Sequence, residues 1–223
     1  MNKVKTFLIS LITACFLTTA TMAFEGFSIG VTGHQADFET TGSQFDDSEA
    51  TTTGSAAKSV DYGSIFLEYT LAQGTTIGVD YIPGDAEIGA KSRTDSETAT
   101  GRDSGTYTAK ASISDHYTFY VEPTIMSSDT VGWYVKGGAT KVTVQSQESL
   151  AIGTDSSTYG DVDVWGVMYG VGAKFYMGNW FAKLEHTQTE YGNVTLNSTT
   201  GNGNTISADP EMDQTSLSLG YNF

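Results

Sequence analysis

The sequence predicts an all-β protein: an eight-stranded antiparallel up-and-down transmembrane β-barrel with short periplasmic turns and four long external loops. Two observations predict this fold. Apolar residues recur at every second position in eight segments, and long and short connections alternate strictly along the chain. The composition agrees, because Thr, Ser and Gly are abundant and disfavour helices, and Pro occurs only 3 times in 223 residues.

The N-terminal residues 1–23 are predicted to be a cleaved signal peptide. Lys3 and Lys5 precede an apolar stretch, and Thr21-Met22-Ala23 offers small residues at the two positions that a signal peptidase reads. The alternative is a lipoprotein signal, in which Cys15 is the lipid-modified residue. The apolar stretch is too short to span a bilayer comfortably, which favours cleavage.

Residues 24–223 are predicted to form the outer-membrane β-barrel. Its eight segments with period two lie at residues 27–31, 65–71, 77–81, 117–121, 133–139, 165–175, 180–184 and 217–223. One face of each segment is aliphatic and aromatic, and the other is small, polar or charged. Periodicity alone does not say which face is inside, because a soluble lipocalin-like barrel alternates in the same way with its apolar face inward.

The lengths of the connections separate these two readings. Three connections are short, at about 72–75, 127–130 and 177–179, and four are long, at about 39–59, 83–105, 145–162 and 192–212. Strict alternation with an even strand count places both termini at the short-turn end, as in outer-membrane barrels. Long loops without structure of their own are also unusual in compact soluble domains.

The last strand carries a recognisable pattern, with Leu217, Leu219, Tyr221 and the terminal Phe223 on alternate positions. It resembles the C-terminal signature of bacterial outer-membrane proteins. Together with the other features, the chain resembles the small eight-stranded OmpA/OmpX-like barrels, without a peptidoglycan-binding domain. The resemblance implies a Gram-negative cell outer membrane, contact with its lipid, and recognition by the barrel assembly machinery during biogenesis.

Seven charged residues fall on the face that would line the barrel interior. They are Glu68, Asp80, Glu122, Glu185, Lys136, Lys174 and Lys183. Counted from the nearest short turn, they lie at similar heights, so they could form one belt across a lumen that side chains can fill. Buried charges must be paired or hydrated, which predicts a plug of salt bridges. A narrow ion path through the belt is the alternative.

Charge and cysteine content exclude several classes of function. The net charge is -15, and removing Lys3 and Lys5 leaves 9 basic against 26 acidic residues, or -17. Such a chain repels phosphate backbones, so no nucleic-acid partner is expected. The chain beyond the signal has no Cys, which excludes disulfides and thiol catalysis. The three His residues are scattered, and no catalytic, metal or cofactor site is predicted.

The sequence therefore predicts a structural and surface-presenting outer-membrane barrel, and not an enzyme. Its acidic external loops are candidate contact surfaces for a ligand that the sequence does not identify. The main alternative is a small porin-like channel for ions or small solutes. A lipid-modifying barrel enzyme and a soluble lipocalin-like binder are less favoured.

Overall fold

The computed structural model describes residues 25–46, 49–95, 105–149, 158–200 and 203–223. The predicted signal peptide lies outside these residues, as do residues 47–48, 96–104, 150–157 and 201–202. Within the described ranges, no helix is long and apolar enough to cross a bilayer.

Ten β-strands make up nearly all of the described chain. They are β1 (Gly26–Asp46), β2 (Glu49–Thr70), β3 (Thr75–Ile82), β4 (Ala86–Asp95), β5 (Gly105–Ser127), β6 (Val131–Ser149), β7 (Val162–Met177), β8 (Trp180–Tyr191), β9 (Val194–Asn197) and β10 (Thr205–Asn222). All the pairings between them are antiparallel.

The ten strands occupy eight positions in a closed ring. The strand β4 continues β3 along the same partner, β5, and β9 continues β8 along β10. Pairing of β1 with β10, from Ser28 opposite Asn222 upward, closes the ring. Short turns join neighbouring positions at one end, as between Met177 and Trp180, which confirms the predicted eight-position up-and-down topology.

The outer face of the ring is apolar over the height of a membrane. Large apolar side chains point outward and are exposed on all eight positions, for example Phe27, Val31, Phe119, Val171 and Leu217. Small and polar residues alternate with them and point inward. The apolar face of the predicted alternation is therefore outside, which separates this barrel from a lipocalin-like binder.

The strands continue far beyond this apolar band. Much of the sequence that was predicted to form long connections without regular structure is therefore β-strand. A transmembrane strand needs about 9–11 residues, whereas β1, β2 and β5 have 21, 22 and 23. Pairing between β1 and β2 extends to Asp46 opposite Glu49. Alternation could not indicate these extensions, because water reaches both of their faces and apolar and polar residues no longer alternate. Residues 53–57, for example, are all exposed.

One seam of the wall stops early. The strands β2 and β3 pair only as far as Ile65 opposite Tyr81. Above this level, among the described residues, β2 pairs with β1 and β4 pairs with β5, but β2 and β4 do not pair with each other. Residues 83–85 interrupt the third position, where Pro83 has no N–H to donate and Gly84 has a φ of 92°.

A second irregularity lies opposite this interruption. The register of β5 against β6 shifts between Ser114 and Tyr117, and Asp115 has a φ of 49°, which is uncommon for a residue other than glycine. We call the opening above Ile65 and Tyr81, between β2 and β4, the β2–β4 gap. Among the described side chains, that of Lys58 crosses it: Lys58 Nζ donates a hydrogen bond to the Glu87 carbonyl oxygen at 2.7 Å.

Candidate functional site

Four aromatic rings fill the middle of the lumen, and each lies against a glycine directly opposite on the neighbouring strand. The pairs are Phe66 with Gly30, Tyr120 with Gly78, Tyr134 with Gly172, and Phe181 with Gly220. A Cβ atom built on any of these glycines would lie within 2.5 Å of the ring. The absence of a side chain at these positions therefore lets the rings fold flat into the interior.

Six of the seven predicted lumen charges meet among these rings. Lys183 is at the centre: it contacts Glu68, lies 3.0 Å from Glu122 Oε1 and lies 3.9 Å from Glu185 Oε1. Lys136 Nζ lies 2.7 Å from Glu185 Oε1 and 3.1 Å from Glu122 Oε1. Lys174 Nζ lies 3.4 Å from Glu68 Oε2. All six residues are buried, and we call them the charge cluster.

The charge cluster balances internally, with three carboxylates against three ammonium groups. Each carboxylate has at least two oppositely charged neighbours, which is the condition under which buried charges are tolerated. The rings add further contacts: Lys136 Nζ lies 3.9 Å from the centre of the Tyr120 ring, and Lys174 Nζ lies 3.8 Å from that of Phe181. The Tyr120 hydroxyl donates a hydrogen bond to Glu68 at 2.8 Å.

Asp80, the seventh predicted residue, lies apart from the charge cluster. No ion pair joins it to another described residue; instead, its Oδ2 accepts a hydrogen bond from Ser64 at 2.7 Å. Ser64 Oγ also lies 2.8 Å from His34 Nε2, and His34 Nδ1 lies 2.7 Å from Ser216 Oγ. With the Ser64 hydrogen directed to Asp80, His34 Nε2 donates to Ser64, and His34 Nδ1 accepts from Ser216.

Sequence reasoning missed this chain of hydrogen bonds. Its four members come from β3, β2, β1 and β10, so no local spacing connects them, and only the register of the barrel brings them together. In this order, Ser216 would correspond to a nucleophile, His34 to a base and Asp80 to an orienting acid, with Ser64 between His34 and Asp80. However, Ser216 is only 2 % exposed.

A small cavity lies directly above the charge cluster, with a volume of ≈ 30 Å³. That is room for about two waters, at roughly 10–15 Å³ each. Lys136 and Glu185 lie at its floor, and Asp80, His34, His116 and Thr187 line its sides. Within the described part of the chain, no three His, Cys, Asp or Glu residues are grouped so that they could hold a metal ion.

Two buried polar atoms of residues that line this cavity have no hydrogen-bond partner in the described structure. They are His116 Nδ1 and Thr187 Oγ1. The other ring nitrogen of His116, Nε2, lies 2.7 Å from Thr140 Oγ1, which also lies 2.7 Å from Thr118 Oγ1 and 3.2 Å from the Tyr117 carbonyl oxygen, to which we assign the Thr140 hydrogen. Since Thr140 then accepts, His116 Nε2 is the donor, and Nδ1 carries a free lone pair.

The C-terminal signature closes the barrel at the short-turn end. Leu217, Leu219 and Phe223 point outward and are exposed, and the backbone N–H of Phe223 donates to the Phe27 carbonyl oxygen at 3.0 Å. Tyr221 packs edge-on against Trp180 and Phe223. These residues therefore form an apolar and aromatic strip along the end of β10, beside its seam with β1.

The closed ring, the apolar outer face and the charged, filled interior give this chain the fold of a small outer-membrane β-barrel. It is similar in structure to the outer membrane protein OprG from Pseudomonas aeruginosa, with 14% identity and a TM-score of 0.56 over 90% of this chain and 99% of that one. The resemblance that the sequence suggested is thus confirmed as a likeness of fold. No protein-family model and no curated protein sequence matches the chain.

Two more distant structures match over similar lengths. The outer membrane protease OmpT from Escherichia coli has 10% identity and a TM-score of 0.47, over 92% of this chain and 100% of that one. The attachment invasion locus protein Ail of Yersinia pestis, in complex with sucrose octasulfate, has 13% identity and a TM-score of 0.44, over 89% and 99%.

Proposed function

We propose that this protein is a surface-presenting scaffold of the Gram-negative outer membrane, with a lumen sealed by the charge cluster. The observation that carries the proposal is the balance of three buried carboxylates and three buried ammonium groups among four aromatic rings. An ion crossing the barrel would have to displace these buried pairs. The cluster therefore supports a structural role for the interior.

The strand extensions support the presenting role. On their outer face, acidic residues lie directly opposite each other across β1 and β10: Asp37 faces Asp213, and Glu39 faces Glu211. Like charges directly opposite each other destabilise a sheet. The acidic surface therefore lowers the stability of the barrel, which supports a role for it other than stabilisation. A partner of this surface is expected to carry positive charge.

The burial of Ser216 supports a non-enzymatic role, because a nucleophile must reach its substrate. We further propose that residues 1–23 direct export and are removed. The barrel assembly machinery then recognises the strip formed by Leu217, Leu219, Tyr221 and Phe223, and outer-membrane lipid covers the apolar band.

Planar-bilayer recording tests the sealed lumen. Refolded wild-type protein is expected to give only small or rare single-channel events, because the charge cluster fills the cross-section. A large and steady conductance in the wild type would reject the sealed scaffold and favour the porin-like alternative.

Labelling of intact cells tests the presenting role. A membrane-impermeant maleimide is expected to react with Ser55→Cys, which lies in the exposed extension of β2. The matched control is Ser128→Cys, equally exposed but at a short turn on the opposite end. If Ser128→Cys reacts in intact cells and Ser55→Cys does not, the proposed orientation is wrong.

A further inference from the structure

The cavity above the charge cluster has the chemistry of a binding site. Three groups of its lining can accept a hydrogen bond: His116 Nδ1 and the Thr187 hydroxyl, which have no partner, and the Asp80 carboxylate, whose Oδ2 already accepts from Ser64. His116 is 5 % exposed and Thr187 is 2 % exposed, so bulk water does not satisfy them. Leaving buried polar atoms unpaired costs about 1–3 kcal/mol each, which a bound hydrogen-bond donor would recover.

Charge indicates the kind of donor. The charge cluster below the cavity is neutral, so Asp80 is the remaining acidic group of the lining, without a counter-ion among the described residues. A cation that carries N–H donors would satisfy the carboxylate, the imidazole lone pair and the hydroxyl together. The volume, which equals about two waters, limits this cation to about two heavy atoms.

The β2–β4 gap supplies a way in. Asp80 and Ile82, the last inward residues of β3 below the gap, line the cavity. On the other side of the gap, β2 contributes Ser64, whose hydroxyl bridges Asp80 and His34. Backbone pairing between the two strands ends at this level, and the Lys58–Glu87 contact crosses the opening above it.

We propose that this cavity is a binding site for a small primary ammonium ion, which enters from the outer side through the β2–β4 gap. Asp80 supplies the charge, and His116 Nδ1 and Thr187 Oγ1 accept N–H hydrogen bonds. The Lys58–Glu87 contact acts as a latch across the entrance. The site is a dead end, because the charge cluster closes its floor.

Methylammonium is the probe for the binding step, with tetramethylammonium at the same concentration as its control. In the ¹⁵N-labelled, refolded barrel, methylammonium is expected to shift the His116 Nδ1 resonance saturably. His186 is an internal reference, since it is exposed on the outer face and does not line the cavity. Tetramethylammonium has no N–H and is expected to leave His116 unchanged. Equal shifts with both ions, or no saturable shift at all, would overturn the proposal.

Substitutions test the assignment of the groups. Asp80→Asn keeps an acceptor for Ser64 but removes the charge, and it is expected to weaken methylammonium binding by about tenfold or more, since hydrogen bonds to charged groups are strong. Thr187→Val is expected to weaken binding by a smaller factor. The matched control is Thr143→Val, whose hydroxyl binds Asp163 on the exposed extension. Loss of binding in the control, or unchanged affinity in Asp80→Asn, would refute the site.

A disulfide tests the entrance separately. In Lys58→Cys/Glu87→Cys, oxidation should slow the exchange of methylammonium without changing its equilibrium affinity, and reduction should restore the rate. Exchange that is equally fast in the oxidised and reduced forms would overturn the entrance through the β2–β4 gap. Heat-dependent gel mobility verifies that each variant is folded before binding is measured.

Discussion

Replacement of Lys183 by Met tests whether the charge cluster stabilises the barrel. Methionine has nearly the same length and volume as lysine, so Lys183→Met removes the charge without opening a large cavity. Lys183 is 1 % exposed and contacts all three carboxylates of the charge cluster. The substitution leaves three buried carboxylates against two ammonium groups.

The expected loss follows from the contacts that remain. Breaking a buried ion pair from one side costs about 3–5 kcal/mol. Glu68 keeps Lys174 at 3.4 Å and Glu122 keeps Lys136 at 3.1 Å, which places the loss near the lower limit, at about 3 kcal/mol. With a denaturant dependence of about 1–3 kcal/mol per molar urea, the midpoint should fall by at least about 1 M.

Unfolding in urea, followed by tryptophan fluorescence and heat-dependent gel mobility, measures this loss. The matched control is Lys141→Met, because Lys141 forms an exposed ion pair with Asp163 at 2.7 Å. Exposed pairs contribute about 0–1 kcal/mol, so this control should hardly move the midpoint. If the two substitutions lower the midpoint equally, burial is not what makes Lys183 important.

A second substitution distinguishes charge imbalance from loss of packing. In Lys183→Met/Glu122→Gln, two ion pairs remain, Glu68 with Lys174 and Glu185 with Lys136. We expect this double variant to recover at least half of the lost stability, since interacting sites are not additive. A double variant that is no more stable than Lys183→Met would refute the electrostatic explanation.

Three further predictions concern export, assembly and one surface carboxylate. The mature N-terminus is expected at Phe24, and N-terminal sequencing that instead finds a lipid-modified Cys15 would contradict the predicted signal. Phe223→Asp should lower the amount of folded barrel at the cell surface, since it places a charge in the apolar strip; unchanged heat-dependent gel mobility would contradict this. Hydrogen bonds from Lys141 and Thr143 hold the pKa of Asp163, which lies outside the membrane band, below its usual range. The stabilisation from this carboxylate is therefore present above its unfolded pKa and is lost as the pH falls through the folded value. Carboxyl titration by nuclear magnetic resonance should show the pKa rise in Thr143→Val.

The sequence predicted the ring well because membrane strands must contrast their two faces. The alternation of apolar residues from Trp165 to Phe175 predicted the outward face of β7. Glu68 and Lys183 alternate with apolar residues in their own segments, and this predicted that they lie in the interior. Outside the membrane this contrast disappears. The extension of β2 around Ser55 is wet on both faces, and its residues therefore resembled a loop.

The cavity and its hydrogen bonds could not be predicted from the sequence, for a different reason. The interaction of Asp80 with Ser64 rather than with a lysine depends on the heights of neighbouring strands, which alternation alone does not fix. The register of β5 against β6 shifts beside Asp115, next to the unpaired His116 nitrogen. An alternation of apolar and polar residues does not indicate such a shift. Glycine opposite aromatic residues, as at Gly220 and Phe181, was a usable signal once the register was known.

The four ring-on-glycine pairs divide the barrel into repeating modules. Each pair lies within one hairpin joined at the outer side: β1 with β2, β3 with β5, β6 with β7, and β8 with β10. The ion pairs of the charge cluster do the opposite, since all but the 3.9 Å contact of Lys183 with Glu185 connect different hairpins. Each hairpin thus contains its own ring-on-glycine pair, and the ion pairs of the charge cluster connect the four hairpins to one another. An outer tip can therefore be lengthened or exchanged one module at a time, while the elements that hold the ring together remain untouched.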